Sequence, residues 1–273
     1  MKLYHWIKRN FFVLFSVLIL INFFIGSWSV LVEKNINFHT DIARDFSLLE
    51  DIIKSRKPTL IGPRAGGISG VFHGPLWLYL NLPSFILGAG NPIIIGCFWI
   101  VLAIFAVFLL FISSKKIFNK KTAFFASVLY SSIVARHIPS LFNSFGALIF
   151  TPLFFLFFYE YVETKKTRSL YLCLFLLGVL VQFQVDYGRV LLLLTLFYFS
   201  LNFLKEKNYF NFSSFFVLII PLSTFILFEL RHNFFQIRSV ISYFQHKQIA
   251  GEPLFFDWFF SRLREIFFDG INL

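Results

Sequence analysis

The stretch from Pro92 to Ile112, PIIIGCFWIVLAIFAVFLLFI, carries no charged residue over its whole length. At 1.5 Å of rise per residue, about 20 apolar residues cross the roughly 30 Å hydrocarbon core of a bilayer. This run has that length, and others flank it in both directions: Phe11–Val32, Thr122–Ala135, Phe145–Val162, Ser169–Val185, Val190–Leu204 and Phe212–Leu230. The composition agrees. The 273-residue chain is 58% hydrophobic and 14% charged, against roughly 25% charged residues in soluble domains. The expected fold is an all-α polytopic membrane protein, a single transmembrane domain over residues 1–273 with about seven transmembrane helices.

The net charge of +11 invites a nucleic-acid reading, but its distribution argues for topology instead. The basic residues fall in short clusters between apolar runs: Lys2, Lys8 and Arg9 at the start, then Lys115-Lys116-Ile117-Phe118-Asn119-Lys120-Lys121, Lys165-Lys166-Thr167-Arg168 and Lys205-Glu206-Lys207. The intervening loops, Arg136–Ser144 and Asp186–Arg189, are poorer in Lys. Alternate short loops therefore obey the positive-inside rule. The N-terminus is expected in the cytoplasm, the chain in the plasma membrane, and the loop Glu33–Asn91 outside. The first run is longer than the 7–15 residues of a signal-peptide core. Gly26-Ser27-Trp28-Ser29 is also a poor cleavage site, so an uncleaved span is expected. Cys97 and Cys173 both lie inside apolar runs and read as small buried hydrophobes.

The external loop Glu33–Asn91 far exceeds the usual 4–6 residues of a connection and needs a reason to exist. In Asp41–Lys54, Ile42, Phe46, Leu49 and Ile53 recur at helical spacing, with Asp41, Arg44 and Asp45 on a neighbouring polar side. This predicts an amphipathic helix lying at the interface. Pro75–Gly88 is apolar but too short to cross, and Pro83 is expected to interrupt it. Between the two, Gly62–Gly70 is rich in turn residues. Two carboxylates and an arginine beside a lipid surface are costly and point to function.

Three segments, in order, carry a resemblance to a known family. The first is Asp41-x-x-Arg44-Asp45 after the first span, where relatives have an acidic motif such as Asp-Glu-x-Arg. The second is His73-Gly74-Pro75-Leu76, similar to a His-Pro-Pro-Leu element. The third is Phe228-Glu229-Leu230-Arg231-His232-Asn233-Phe234, near the exit of a later span. The chain resembles the membrane glycosyltransferases of the GT-C type, which include the protein O-mannosyltransferases of family 39, the aminoarabinose transferase of lipid A and the rhizobial galacturonosyltransferases. The resemblance implies an inverting transfer of a sugar from a polyprenyl-phosphate donor to a lipid, glycan or protein acceptor on the outer face of the membrane. It departs at Ile42, where several relatives carry Glu.

Such a reaction needs a carboxylate to take the acceptor's hydroxyl proton and cations to meet the departing phosphate. Asp41 is expected as the base, in line with the resemblance, and Asp45, one turn on, as a residue that orients the site. Arg44, Arg64, His73, Arg136 and Arg231 are the external cations that could bind substrate. Plainer readings exist for several. Thr40 or Asp41 suits a helix N-cap, Arg44 could snorkel to lipid phosphates, and His73-Gly74-Pro75 could simply start a helix. Arg231 and His232 could be an interfacial anchor, and Gln182, Gln184 and Asp186 read as ordinary polar residues at a helix end.

His39, Asp41 and Asp45 are hard ligands, yet one short segment rarely closes a metal site. The lipid-phosphate branch of the resembled family generally works without a metal, so no cofactor is expected, although a divalent cation is compatible. A transporter or lipid flippase is the alternative reading. It predicts ionisable residues within the spans, whereas the polar residues here concentrate in the outer loop. A non-catalytic membrane subunit is a third. The aromatic, basic stretch Pro253–Phe268 follows the last run with no closing span, as in the start of a missing C-terminal region, and residues 231–273 are read as external.

Overall fold

The computed structural model describes residues 2–206 and 212–249. Among them, ten α-helices follow in order: α1 (Lys2–Leu31), α2 (Thr40–Ser55), α3 (Leu76–Leu87), α4 (Pro92–Ile117), α5 (Lys120–His137), α6 (Asn143–Thr164), α7 (Thr167–Phe183), α8 (Val185–Glu206), α9 (Ile219–Arg231) and α10 (Phe235–Ile249). Short 3₁₀ turns occupy Ile138–Ser140 and Phe212–Leu218. No strand forms among the described residues; Arg64 and Phe72 make an isolated antiparallel bridge.

The all-α class follows from the apolar runs. Asn10–Leu31, Pro92–Ile117, Asn143–Thr164 and Ser214–Arg231 are each long and apolar enough to cross a bilayer. Only 6% of the first of these segments is buried within the protein. Leu20, Phe24, Val101 and Leu193 stand exposed on apolar helices, a surface suited to lipid and not to water. The other three expected crossings are helices too, with different bounds. α7 is 17 residues long, and α5 carries Lys120, Lys121 and Arg136 within its 18.

The chain divides into two compact units. The larger comprises residues 1–63 and 73–226. Here α6 packs along α7 and α4, α4 along α5, and α5 along α1. Gly26 of α1 meets the Ala135 backbone of α5 where a Cβ would have no room, the close approach that small residues permit between membrane helices. Asn22 Nδ2 donates to Ser131 Oγ at 2.8 Å across the same pair. The core is continuous through Ile42, Trp77, Leu78, Trp99, Leu174 and Leu180. The Trp99 indole donates to Asn81 Oδ1 at 2.8 Å inside it.

Among the described residues the smaller unit comprises residues 64–72 and 227–249; the stretch Pro253–Phe268 lies outside the described residues. Asn233 and Phe234 both adopt positive φ, 52° and 58°, and turn α9 into α10. The buried Glu229 accepts from the Gln236 and Ile237 N–H groups at 3.2 and 3.4 Å, satisfying donors at the start of α10. His232 stacks on Phe228 with centroids 4.1 Å apart. The phrase from Phe228 to Phe234 is therefore a helix-to-helix turn with its own internal bonds.

Four expectations are corrected. Pro83 does not interrupt α3, which runs through it. Residues 186–189 are the first turn of α8 and not a loop. Helix α5 extends to His137, which shortens the expected loop at Arg136–Ser144. The last run is a 3₁₀ turn followed by α9 and not one continuous α-helix.

Candidate active site

Helix α2 begins at Thr40, and its N-cap is His39, whose Nδ1 accepts from the Asp41 N–H at 3.3 Å. Neither Thr40 nor Asp41 caps the helix, so the Asp41 carboxylate is left to other work. Asp41 and Arg44 pair at i,i+3: Arg44 Nη1 donates to Asp41 Oδ1 at 2.8 Å. The same guanidinium turns its Nε and Nη2 to Asp45 Oδ1, at 3.2 and 3.0 Å. Arg44 is thus held by two carboxylates of its own helix and does not reach out as a free lipid anchor.

The two carboxylates differ sharply in setting. Asp41 is about half exposed, whereas Asp45 is 4% exposed and lies on the buried face with Ile42 and Leu49. The expected polar side of α2 therefore holds for Asp41 and fails for Asp45. A cavity of about 10 Å³ adjoins Asp45, lined also by Trp77, Asn81, Trp99 and Leu141. That is room for no more than a single water. Asp45 Oδ2 has no hydrogen-bond partner. Burial pushes the Asp45 carboxyl up to about 6, against the opposing pull of Arg44. The Trp77 indole favours the anion only weakly, from outside hydrogen-bond geometry.

His73 enters from the end of the loop between α2 and α3 and is 5% exposed. Its Nδ1 accepts from the Val185 N–H at 3.3 Å, which places the ring proton on Nε2. Gly74 donates its N–H to the Gln182 carbonyl at 2.8 Å, and a Cβ there would strike the Gln182 side chain and Cα. Gln182 Nε2 donates in turn to Thr224 Oγ1 at 2.8 Å. Asn143 Nδ2 donates to Phe183 O at 3.0 Å. The segment His73-Gly74-Pro75 is therefore a clasp on the α7–α8 junction, followed at once by α3.

Burial holds the His73 imidazole down at about 4. The charges that act on it are, in falling order, Asp186, Arg44, Arg189 and Asp41. The loop histidine thus lies within the fields of two Asp–Arg pairs, one opening α2 and one opening α8. Arg189 pairs with Asp186 at i,i+3, as Arg44 does with Asp41, and its side chain is 43% exposed. The signal in the sequence is a repeated Asp-x-x-Arg, at 41–44 and 186–189.

The remaining expected cations divide. Arg136 is exposed in the last turn of α5. Three residues on, Pro139 accepts from the Asn37 N–H at 2.8 Å, and Phe142 meets the His39 ring edge-on at 5.7 Å. These contacts put the end of α5 beside the entry to α2. His73 is buried and uncharged at neutral pH and so is not the exposed cation expected of it. Arg64 and Arg231 are exposed residues of the smaller unit. His39, Asp41 and Asp45 do not converge as a metal cage, and no group of three or more His, Cys, Asp or Glu side chains does so among the described residues.

No family model, no curated protein and no solved structure matches the chain. The reading of function rests on the residues of this site.

Proposed function

We infer that the chain is a polytopic membrane glycosyltransferase of the GT-C type, with seven spans, a cytoplasmic N-terminus and the head of α2 outside the plasma membrane. The observation that carries the reading is the pairing of unlike carboxylates on one arginine: half-exposed Asp41 and buried Asp45, both bonded to Arg44. Sites that move protons separate two carboxyls by environment in this way.

In the proposed reaction the acceptor hydroxyl attacks the anomeric carbon of a polyprenyl-phosphate sugar from the face opposite the phosphate. The C–O bond to the phosphate breaks as the new glycosidic bond forms, which inverts the anomeric centre. Asp41 takes the hydroxyl proton. Its Oδ1 is engaged by Arg44, which leaves Oδ2 for the acceptor. Asp45 acts through Arg44 and positions it. The departing polyprenyl phosphate carries the negative charge, and Arg189 and Arg136 are the exposed cations suited to meet it.

The test is sugar release and transfer by the purified protein in bilayers, offered a panel of polyprenyl-phosphate sugars and, separately, nucleotide sugars. Transfer from a lipid-linked donor that is lost in Asp41→Asn supports the reading. Direct use of a nucleotide sugar without a lipid carrier overturns it.

A further inference from the structure

A second cavity, of about 560 Å³, lies between α4, α5 and α6. Ser113, Phe118, Leu148, Phe155, Tyr159 and Val162 line it. Phe118, Phe155 and Tyr159 are exposed, so the cavity is a groove open on the side of the helix bundle. Along α6 its lining runs from Leu148 to Val162, which at 1.5 Å per residue is about 21 Å. One leaflet of hydrocarbon is about 15 Å thick. The groove therefore runs the depth of a leaflet, parallel to the helices.

Its walls offer almost nothing to a polar ligand. The Tyr130 hydroxyl is already bonded to Leu148 O at 2.8 Å, and the Thr151 hydroxyl to Ala147 O at 2.8 Å. Ser113 Oγ is buried and presents no accessible polar surface to the groove. An apolar cavity of this kind is not a water site, which would need two to four polar partners. Its chemistry suits a hydrocarbon chain.

The end of the groove is marked by charge. Ile117 and Phe118 belong to its lining, and they stand between Lys115-Lys116 and Lys120-Lys121 on the α4–α5 turn. Lys116 is paired with Glu160 at 3.0 Å, and Lys120 sits over the Phe12 ring at 4.4 Å. Lys115 and Lys121 are exposed and make no ion pair among the described residues. An apolar slot one leaflet deep that ends at uncompensated lysines is complementary to a lipid with a negatively charged headgroup.

We propose that the α4–α5–α6 groove is a binding site for an anionic phospholipid of the leaflet on the lysine side, with one acyl chain in the groove and the phosphate at the Lys115–Lys121 turn. The site rests on the membrane reading of the apolar helices and is independent of the chemistry at Asp41.

The experiment is native mass spectrometry of the purified protein titrated with phosphatidylglycerol or phosphatidylcholine of matched chains, with Ser113→Phe to fill the groove and K115Q/K120Q/K121Q to remove its charge. Photocrosslinking of the unaltered protein with a diazirine-tailed phosphatidylglycerol locates the bound chain without any variant. The expected results are at least tenfold preference for phosphatidylglycerol, crosslinks on the 148–162 segment, loss of the lipid in Ser113→Phe, and loss of the preference alone in the triple variant. Equal retention of the two lipids, crosslinks spread evenly over all helices, or unchanged preference in the triple variant each overturn the proposal. Displacement of phosphatidylglycerol by an equal concentration of polyprenyl phosphate overturns it also, since the groove would then belong to a different lipid.

Discussion

Arg44 grips Asp45 through two nitrogens, at 3.0 and 3.2 Å, yet the carboxyl it grips is still pushed up to about 6 by burial. Desolvation outweighs the salt bridge here, as it can wherever a carboxylate leaves water. The neighbouring His73 is buried in the opposite electrical sense, held neutral down to about 4.

These two groups set opposing pH dependences. The fold favours neutral Asp45, so the stability tied to it is complete below its ordinary 3.8 and is lost as pH rises through about 6. The fold favours neutral His73 as well, so its contribution is complete above its ordinary 6.5 and is lost as pH falls through about 4. Each corresponds to a contribution on the order of 3 kcal/mol, and between pH 4 and 6 they nearly cancel. The native protein should therefore show a flat unfolding midpoint over that range in detergent. Asp45→Asn should lose stability on acidification, and His73→Asn should gain it. Parallel curves for the three proteins would refute the opposition.

Asp41→Asn should lower sugar transfer by about 10²–10⁴-fold, the usual worth of a general base, at normal membrane abundance. Because His39 supplies the cap, Asp41→Ala should be no worse folded than Asp41→Asn and equally inactive. Asp45→Asn, which loosens Arg44 without removing the base, should be milder. Transfer assays with quantified protein levels decide this, and an active Asp41→Asn enzyme moves the base elsewhere.

The helical class was legible in runs such as Pro92–Ile112, because lipid-length apolar runs have few other uses. The burial of Asp45 was not. Spacing alone groups it with Asp41, and only the packing of Ile42 and Leu49 against Trp77 and Trp99 turns that flank of α2 inward. Pro83 also misled, since a proline inside a helix removes one backbone bond and can bend the helix without ending it. The second Asp-x-x-Arg was visible as text, but its relation to His73 needed the long-range clasp through Val185 and Gln182.

Gly74→Ala should open that clasp. The added Cβ meets the Gln182 side chain and backbone, and overpacking of this kind typically costs about 1–3 kcal/mol. Trimming Gln182 to Ala clears the side-chain clash but leaves the clash with the backbone. The double variant should therefore recover part of the loss, and the pair should be non-additive in a thermal unfolding cycle. Strict additivity would mean that Gly74 and Gln182 do not meet.

Arg189 provides the last prediction. Its guanidinium is 43% exposed and bound to Asp186 alone among the described residues, whereas Arg44 is occupied by two carboxylates. A phosphate arriving near His73 would find Arg189 the easier partner to recruit. Hydrogen bonds to charged groups are worth about 1.5–3 kcal/mol, so Arg189→Ala should lower kcat/KM for the lipid-linked donor by about 10- to 150-fold. Most of this should fall on KM if the phosphate is gripped equally before and during bond breaking, and on kcat if the grip tightens as charge develops. Arg189→Lys should recover part of the loss, since it keeps the charge but not the forked geometry. Asp186→Asn, which frees the guanidinium, should lower KM or leave it unchanged. A structural role for the pair predicts a different pattern: Asp186→Asn and Arg189→Ala would then be equally harmful, and both would lower the unfolding midpoint. Measuring donor KM, kcat and unfolding for the three variants separates the two accounts, and an unchanged KM and kcat in Arg189→Ala removes Arg189 from the site.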